Sequence, residues 1–300
     1  MLLLLLTPAC FAQEAADDVI NNDQWRAFPF DNTEYQLTRS SLNKNWQYFQ
    51  RSTQYPFPDT QYISRLLTDN PQLKASIPND FSNTKVVKVL QTAWIAFFEG
   101  DFQRATQLGY SLGPIGHGVA FYSQTTYASR LESNTQKRHA LWEDVLNRHE
   151  RSKHLTKHDS MTRFFAFFSM ARLSEEISAP LVLTRNYVGK MQQTLLELNS
   201  DEPDNVFALA ARGSMDAGIM RKLGKLMGQL TYGVSADVVE EFYKKVTVLN
   251  KIIPNVQLEY AQSLLYIYGK KQLKRALKHM RIASEVKPAY AMEALDVIHA

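Results

Sequence analysis

Apolar residues recur at three- and four-residue spacings from about Thr33 to the C-terminus, and alternating apolar and polar runs are scarce. A helix needs that period to gather its apolar side chains on one face, so the pattern predicts an all-α chain. Prolines divide it. Tyr55-Pro56-Phe57-Pro58 separates helices expected over residues 33–50 and 59–69, because a proline inside a helix removes a hydrogen bond and clashes with the preceding turn. A second break, Ile77-Pro78-Asn79-Asp80, closes this region, and Ser82 or Asn83 can then cap a helix through its side-chain oxygen.

Beyond this point the helices come in pairs. Pro254 and Pro288 stand 34 residues apart, a tetratricopeptide (TPR) period, each expected to terminate a long amphipathic helix. With Pro288 at the end of such a unit, Tyr260 takes the large aromatic position of the first helix, and Ala276 and Ala283 take the small positions of the second. Paired helices approach closely only where a side chain is a methyl group or less. An earlier unit is expected around Trp94-Ile95-Ala96-Phe97-Phe98-Glu99-Gly100-Asp101-Phe102-Gln103-Arg104-Ala105: Gly100 ends a helix, Asp101 caps the next and Phe102 packs back between them. Residues 121–151, 160–199 and 204–254 supply the remaining pairs, about five in all.

These segments, with Leu112-Gly113-Pro114-Ile115-Gly116, Leu230-Thr231-Tyr232-Gly233-Val234-Ser235, Ile267-Tyr268-Gly269-Lys270-Lys271 and the tail Tyr290–Val297, resemble a family of secreted bacterial TPR-like proteins. That family is similar in pattern to the periplasmic TPR protein associated with TRAP transporters and, more distantly, to the regulator of microtubule dynamics proteins. The resemblance implies a right-handed solenoid of about five TPR-like hairpins over residues 84–300, capped by an N-terminal helical segment over 13–83. It also implies a non-catalytic envelope protein that contacts a partner and can hold an apolar ligand. It carries over no catalytic residue.

The composition, 45% hydrophobic and 21% charged over 300 residues, is that of a globular protein. Met1-Leu2-Leu3-Leu4-Leu5-Leu6 followed by Thr7-Pro8-Ala9-Cys10-Phe11-Ala12 reads as a signal peptide over residues 1–12 cleaved before Gln13, hence export to the periplasm or beyond. Cys10 is the only cysteine. Cleavage after Ala12 removes thiol chemistry from the mature chain, whereas lipid attachment at Cys10 is the alternative, and the only route by which membrane contact is expected. The net charge of +4 is dispersed, with a local surplus at Arg148, Arg151, Lys153 and Lys157, and gives no basic stripe for nucleic acid.

Few residues invite chemistry. Gly109-Tyr110-Ser111-Leu112-Gly113 fits the nucleophile-elbow pattern, with His117 and His139 as bases by type, but its expected place at a helix end makes a serine hydrolase the lesser reading. His149, His154 and His158 suggest a metal, which the neighbouring cations oppose; no metal or cofactor is expected. Gly224, Gly228 and Gly233, near Arg221 and Lys222, form either a close helix packing with a long turn or a basic loop that grips an anion.

The aromatics are more suggestive. In a TPR stack the first helices would direct Trp94, Phe97, Phe98, Tyr122 and Tyr268 to a concave groove, with Arg130, Arg163 or Arg172 at its rim. Phe164, Phe165, Phe167 and Phe168 surround most of one helix, so that Phe164 and Phe168 are directed to the groove, unless the N-terminal helices fold across these rings and bury them. The expected function is binding of a protein or peptide in that groove. An apolar ligand in a transporter-associated component, or hydrolysis by Ser111, are the alternatives, and the sequence leaves the oligomeric state open.

Overall fold

Each apolar-periodic segment is helical, and the chain is all-α. Fifteen α-helices and no strand occur among the described residues, which in this computed structural model are 20–21, 23–157, 159–249 and 252–300. The expected signal peptide, Cys10 and His158 lie outside the described residues. No helix among those described is long and apolar enough to cross a membrane. The chain forms two compact units, one from the described residues up to Trp46 with Tyr55–Met191, the other from Gln47–Gln54 with Gln192–Ala300.

The first unit contains most of α1 (Arg39–Phe49), then α2 (Thr60–Asp69), α3 (Asn83–Glu99), α4 (Phe102–Tyr110), α5 (His117–Arg130), α6 (Thr135–Ser152), α7 (Ser160–Glu176), α8 (Ala179–Thr184) and the start of α9 (Tyr187–Asp201). The Ser82 side chain caps α3 by accepting from the Lys85 amide, and Gly100 ends it at φ 92°, a left-handed conformation that costs glycine little. Asp101 caps α4, and Phe102 packs edge-on to Phe97 at 5.8 Å, closing the hairpin. Next, α4 crosses α5 almost backbone to backbone: a Cβ on Gly116 would lie 2.0 Å from the Gly109 carbonyl oxygen. α5 also packs on α3, α6 and α7, and is buried along nearly its whole length.

An N-terminal strap crosses this hairpin. Gln103 on α4 donates from Nε2 to the carbonyls of Ile20 (2.9 Å) and Asp23 (2.7 Å) and accepts from the Trp25 amide, while the Trp25 ring stacks on Tyr127 at 4.0 Å. A polar side chain that satisfies three backbone groups ties this segment down.

The second unit contains the rest of α9, then α10 (Val206–Leu223), α11 (Lys225–Tyr232), α12 (Ala236–Val248), α13 (Pro254–Tyr268), α14 (Leu273–Ser284) and α15 (Ala291–Ile298). α10 packs on α12 and α13, and α13 pairs with α14, where Ala276 and Ala283 are buried. Tyr243 is the pillar of this unit: a Cβ on Gly213 would lie 2.7 Å from its ring, and its hydroxyl is 2.8 Å from Ser214 Oγ and 3.0 Å from Ser263 Oγ. Residues 47–54 join this unit through a bond from the Val206 amide to the Ser52 carbonyl (2.8 Å), Phe49 against Tyr290, and the Arg51–Glu293 ion pair.

Three local expectations are corrected. Pro254 opens α13 instead of ending a helix, because a proline in the first turn lacks only an N–H that has no helical partner. Residues 160–199 form three helices, since Pro180 starts α8 after the break at Ile177 and Ser178. Residues 204–254 also form three, because Gly224 (φ 80°) and Gly233 (φ 69°) delimit the additional helix α11.

Candidate functional site

The aromatic residues nominated for a groove lie in the core of the first unit. Trp94, Phe97, Phe98, Tyr122 and Phe164 are all buried, so none presents its ring on an open surface. Trp46 of α1 covers them: its ring stands edge-on to Trp94 at 5.2 Å and Phe98 at 6.2 Å, and its Nε1 donates to the Tyr55 carbonyl at 2.7 Å. Behind them Tyr122 lies 4.2 Å from Phe97 and stacks on Phe165 at 4.0 Å. α1 of the N-terminal segment thus lies against Trp94 and Phe98. Phe168 is half-buried under Arg172, Arg163 is buried and Arg130 half-buried. Tyr268 belongs to the second unit, where the Lys225 ammonium sits 5.1 Å over its ring.

The elbow residues are engaged elsewhere. Ser111 closes α4 and its Oγ donates to the Leu108 carbonyl at 2.7 Å, a helix-end role. His117 Nδ1 is 3.1 Å from Ser152 Oγ, and burial, aided by Arg148, His149 and Arg151, pushes the imidazole down to about 3, too weak for a base at neutral pH. His139 pairs with Glu176 at 2.9 Å. His154 lies in the turn after α6 and not on a helix, and burial pushes His149 down to about 4. No cluster of three metal-ligating side chains occurs among the described residues.

An open groove of about 530 Å³ lies instead on the second unit, lined by α12, α13 and α14. Ser235 caps α12, and Asp237, Glu240, Glu241, Lys244 and Thr247 follow at helical spacing on one face. Arg275 and His279 are one turn apart on α14, and Tyr260 forms the floor, stacked on Tyr243 at 4.1 Å. Arg275 forks onto Glu240 with two bonds, 2.8 and 2.7 Å, and the Tyr260 hydroxyl donates to the same carboxylate at 2.6 Å. Burial acts to raise the Glu240 carboxyl, but Arg275 and Tyr260 outweigh it and hold it below the usual carboxylate range. Burial and the adjacent Glu240 raise the Tyr260 phenol. His279, 2.8 Å from Gln257 Oε1 and 4.4 Å from the Tyr260 ring, is pushed down by burial and by Arg275 and Lys278, so it is neutral at pH 7.

Within the groove Glu240 and Arg275 neutralise each other, Glu241 pairs with Lys245, and Thr247 donates to the Tyr243 carbonyl. Asp237 and Lys244 are exposed at its edge and make no ion pair in the described structure. The arrangement offers a fixed polar floor and one charge of each sign to a bound segment. Sequence reasoning placed Tyr260 in a helix pair and left His279 without a role; the spacing of Asp237, Glu240, Glu241 and Lys244, with Arg275 and His279, was the available signal. Comparison with protein-family models, curated proteins and solved structures finds no match to the chain.

Proposed function

We propose that this chain is a non-catalytic binding scaffold of the cell envelope that holds a protein or peptide segment in the groove of α12, α13 and α14. The groove carries the reading: every lining side chain has a charged or hydrogen-bonding head, a lining suited to the polar backbone and side chains of a peptide. The helical hairpins α3–α4, α5–α6 and α13–α14, with buried Ala105, Ala276 and Ala283 at small positions, support a TPR-like pairing, and a right-handed run of such pairs completes the proposal. Export through the apolar leader would bring the groove to partners in the envelope or outside the cell.

The test is a displayed peptide library screened against the full chain and against an Asp237→Lys/Lys244→Glu variant, whose exposed substitutions leave the packing intact. A common motif enriched by the wild type and weakened at least about tenfold in the variant is expected, since two exposed charge pairs, each worth up to about 1 kcal/mol, are turned into repulsions. Absence of enrichment, or equal enrichment by both proteins, would remove the groove from consideration.

A further inference from the structure

Helix α11 is inside out. Its eight residues, Lys225–Tyr232, turn Gly228 toward the body of the second unit, where a Cβ would lie 3.0 Å from a Val234 methyl and 3.6 Å from Ile219. On the opposite face Leu226, Met227 and Leu230 are 69, 54 and 73% exposed, a display of apolar surface that water penalises. Leu223, just before the helix, is 47% exposed. Glycines bound the element on both sides, Gly224 at φ 80° and Gly233 at φ 69°, each with open space around it.

The flanking charge has one sign. Arg221, Lys222 and Lys225 are exposed, Arg221 and Lys225 lying over the rings of Tyr266 and Tyr268, and no acidic residue occurs in the sequence between Asp216 and Asp237. Exposed apolar side chains flanked by cations alone suit a lipid interface: the apolar side chains enter the acyl boundary while the cations remain among the headgroups.

We propose that α11 docks the protein on an anionic lipid surface, with Leu226, Met227 and Leu230 inserted and Arg221, Lys222 and Lys225 on the phosphates. Each cation near such a surface contributes about fivefold to partitioning, and the attraction is screened by salt. This contact is separate from lipid attachment at Cys10 and does not rest on the peptide groove.

The experiment uses the full chain carrying Cys10→Ser and Met227→Cys, labelled at the new thiol with an environment-sensitive fluorophore, and mixed with vesicles of phosphatidylglycerol and phosphatidylcholine or of phosphatidylcholine alone. A blue shift on the anionic vesicles only is expected, weakened at least tenfold in vesicle affinity by Arg221→Glu/Lys222→Glu/Lys225→Glu and by Leu226→Ser/Leu230→Ser. The local probe separates α11 from the apolar run at the N-terminus. An unshifted probe, an equal shift on neutral vesicles, or a vesicle-independent shift that grows with protein concentration, the mark of a second copy on the patch, would overturn the proposal.

Discussion

The two units solve the same problem, close packing of helices, with opposite materials. In the first, bulky rings interlock: Trp46, Trp94, Phe97, Phe98, Tyr122 and Phe165 form a continuous aromatic cluster, and the tightest approach is backbone on backbone at Gly109 and Gly116. In the second, Tyr243 packs on Gly213 with its hydroxyl bonded to two serines, beside an open groove of polar contacts. A core of rings is held by dispersion and area, with little penalty for a lost hydrogen bond. A tyrosine pillar adds direction, because its buried hydroxyl must remain paired.

On this contrast the largest loss belongs to the ring cluster. Trp94→Ala should destabilise the first unit by about 3–5 kcal/mol in urea unfolding, the cost of a large core cavity; a loss below about 1 kcal/mol would mean that the cluster is loosely packed. Gly116→Ala comes next. With backbone on the receiving side the helices must part, at about 3 kcal/mol by the same measurement, and a neutral outcome would show that α4 and α5 cross farther apart.

The third test uses protons. His117 is buried and held neutral down to about pH 3, whereas in the unfolded chain it titrates near 6.5. Below pH 6.5 the unfolded state therefore binds more protons, and stability falls with pH by up to about 1.4 kcal/mol per unit, or about 2 kcal/mol from pH 6.5 to 5. His149, pushed down to about 4, acts with the same sign. Urea midpoints at pH 7 and pH 5 check this, and His117→Gln should flatten the profile. The smallest effect sharpens the second unit: Tyr243→Phe, which keeps the ring and drops the hydroxyl, should cost about 1–2 kcal/mol through the serines it leaves behind.

The local grammar of the helices was legible in the sequence. Ser82, Gly100, Asp101 and Phe102 each act through their own side chain or backbone on residues three to five positions away, and the structure places them as expected. Long-range facts were not. Whether Trp94 faces a groove or a core depends on Trp46, 48 residues earlier, and helical periodicity gives the same apolar stripe in both cases. The groove escaped notice for a related reason: Glu240 and Arg275 each look like solvated helix residues until α12 and α14 are brought beside Tyr260. Conversely, Pro254 misled because a proline marks either edge of a helix equally well.

The Gly109–Gly116 crossing also bears on the order in which the first unit assembles. Its two glycines are seven residues apart, so closing that corner costs little chain entropy, whereas the Trp46–Trp94 contact must gather 48 residues. The corner is the contact available early, and the aromatic cluster condenses onto it. Kinetic analysis of Ala120→Gly, at the corner, should then give a φ-value well above that of Trp46→Phe, and the reverse ranking would place the rings first.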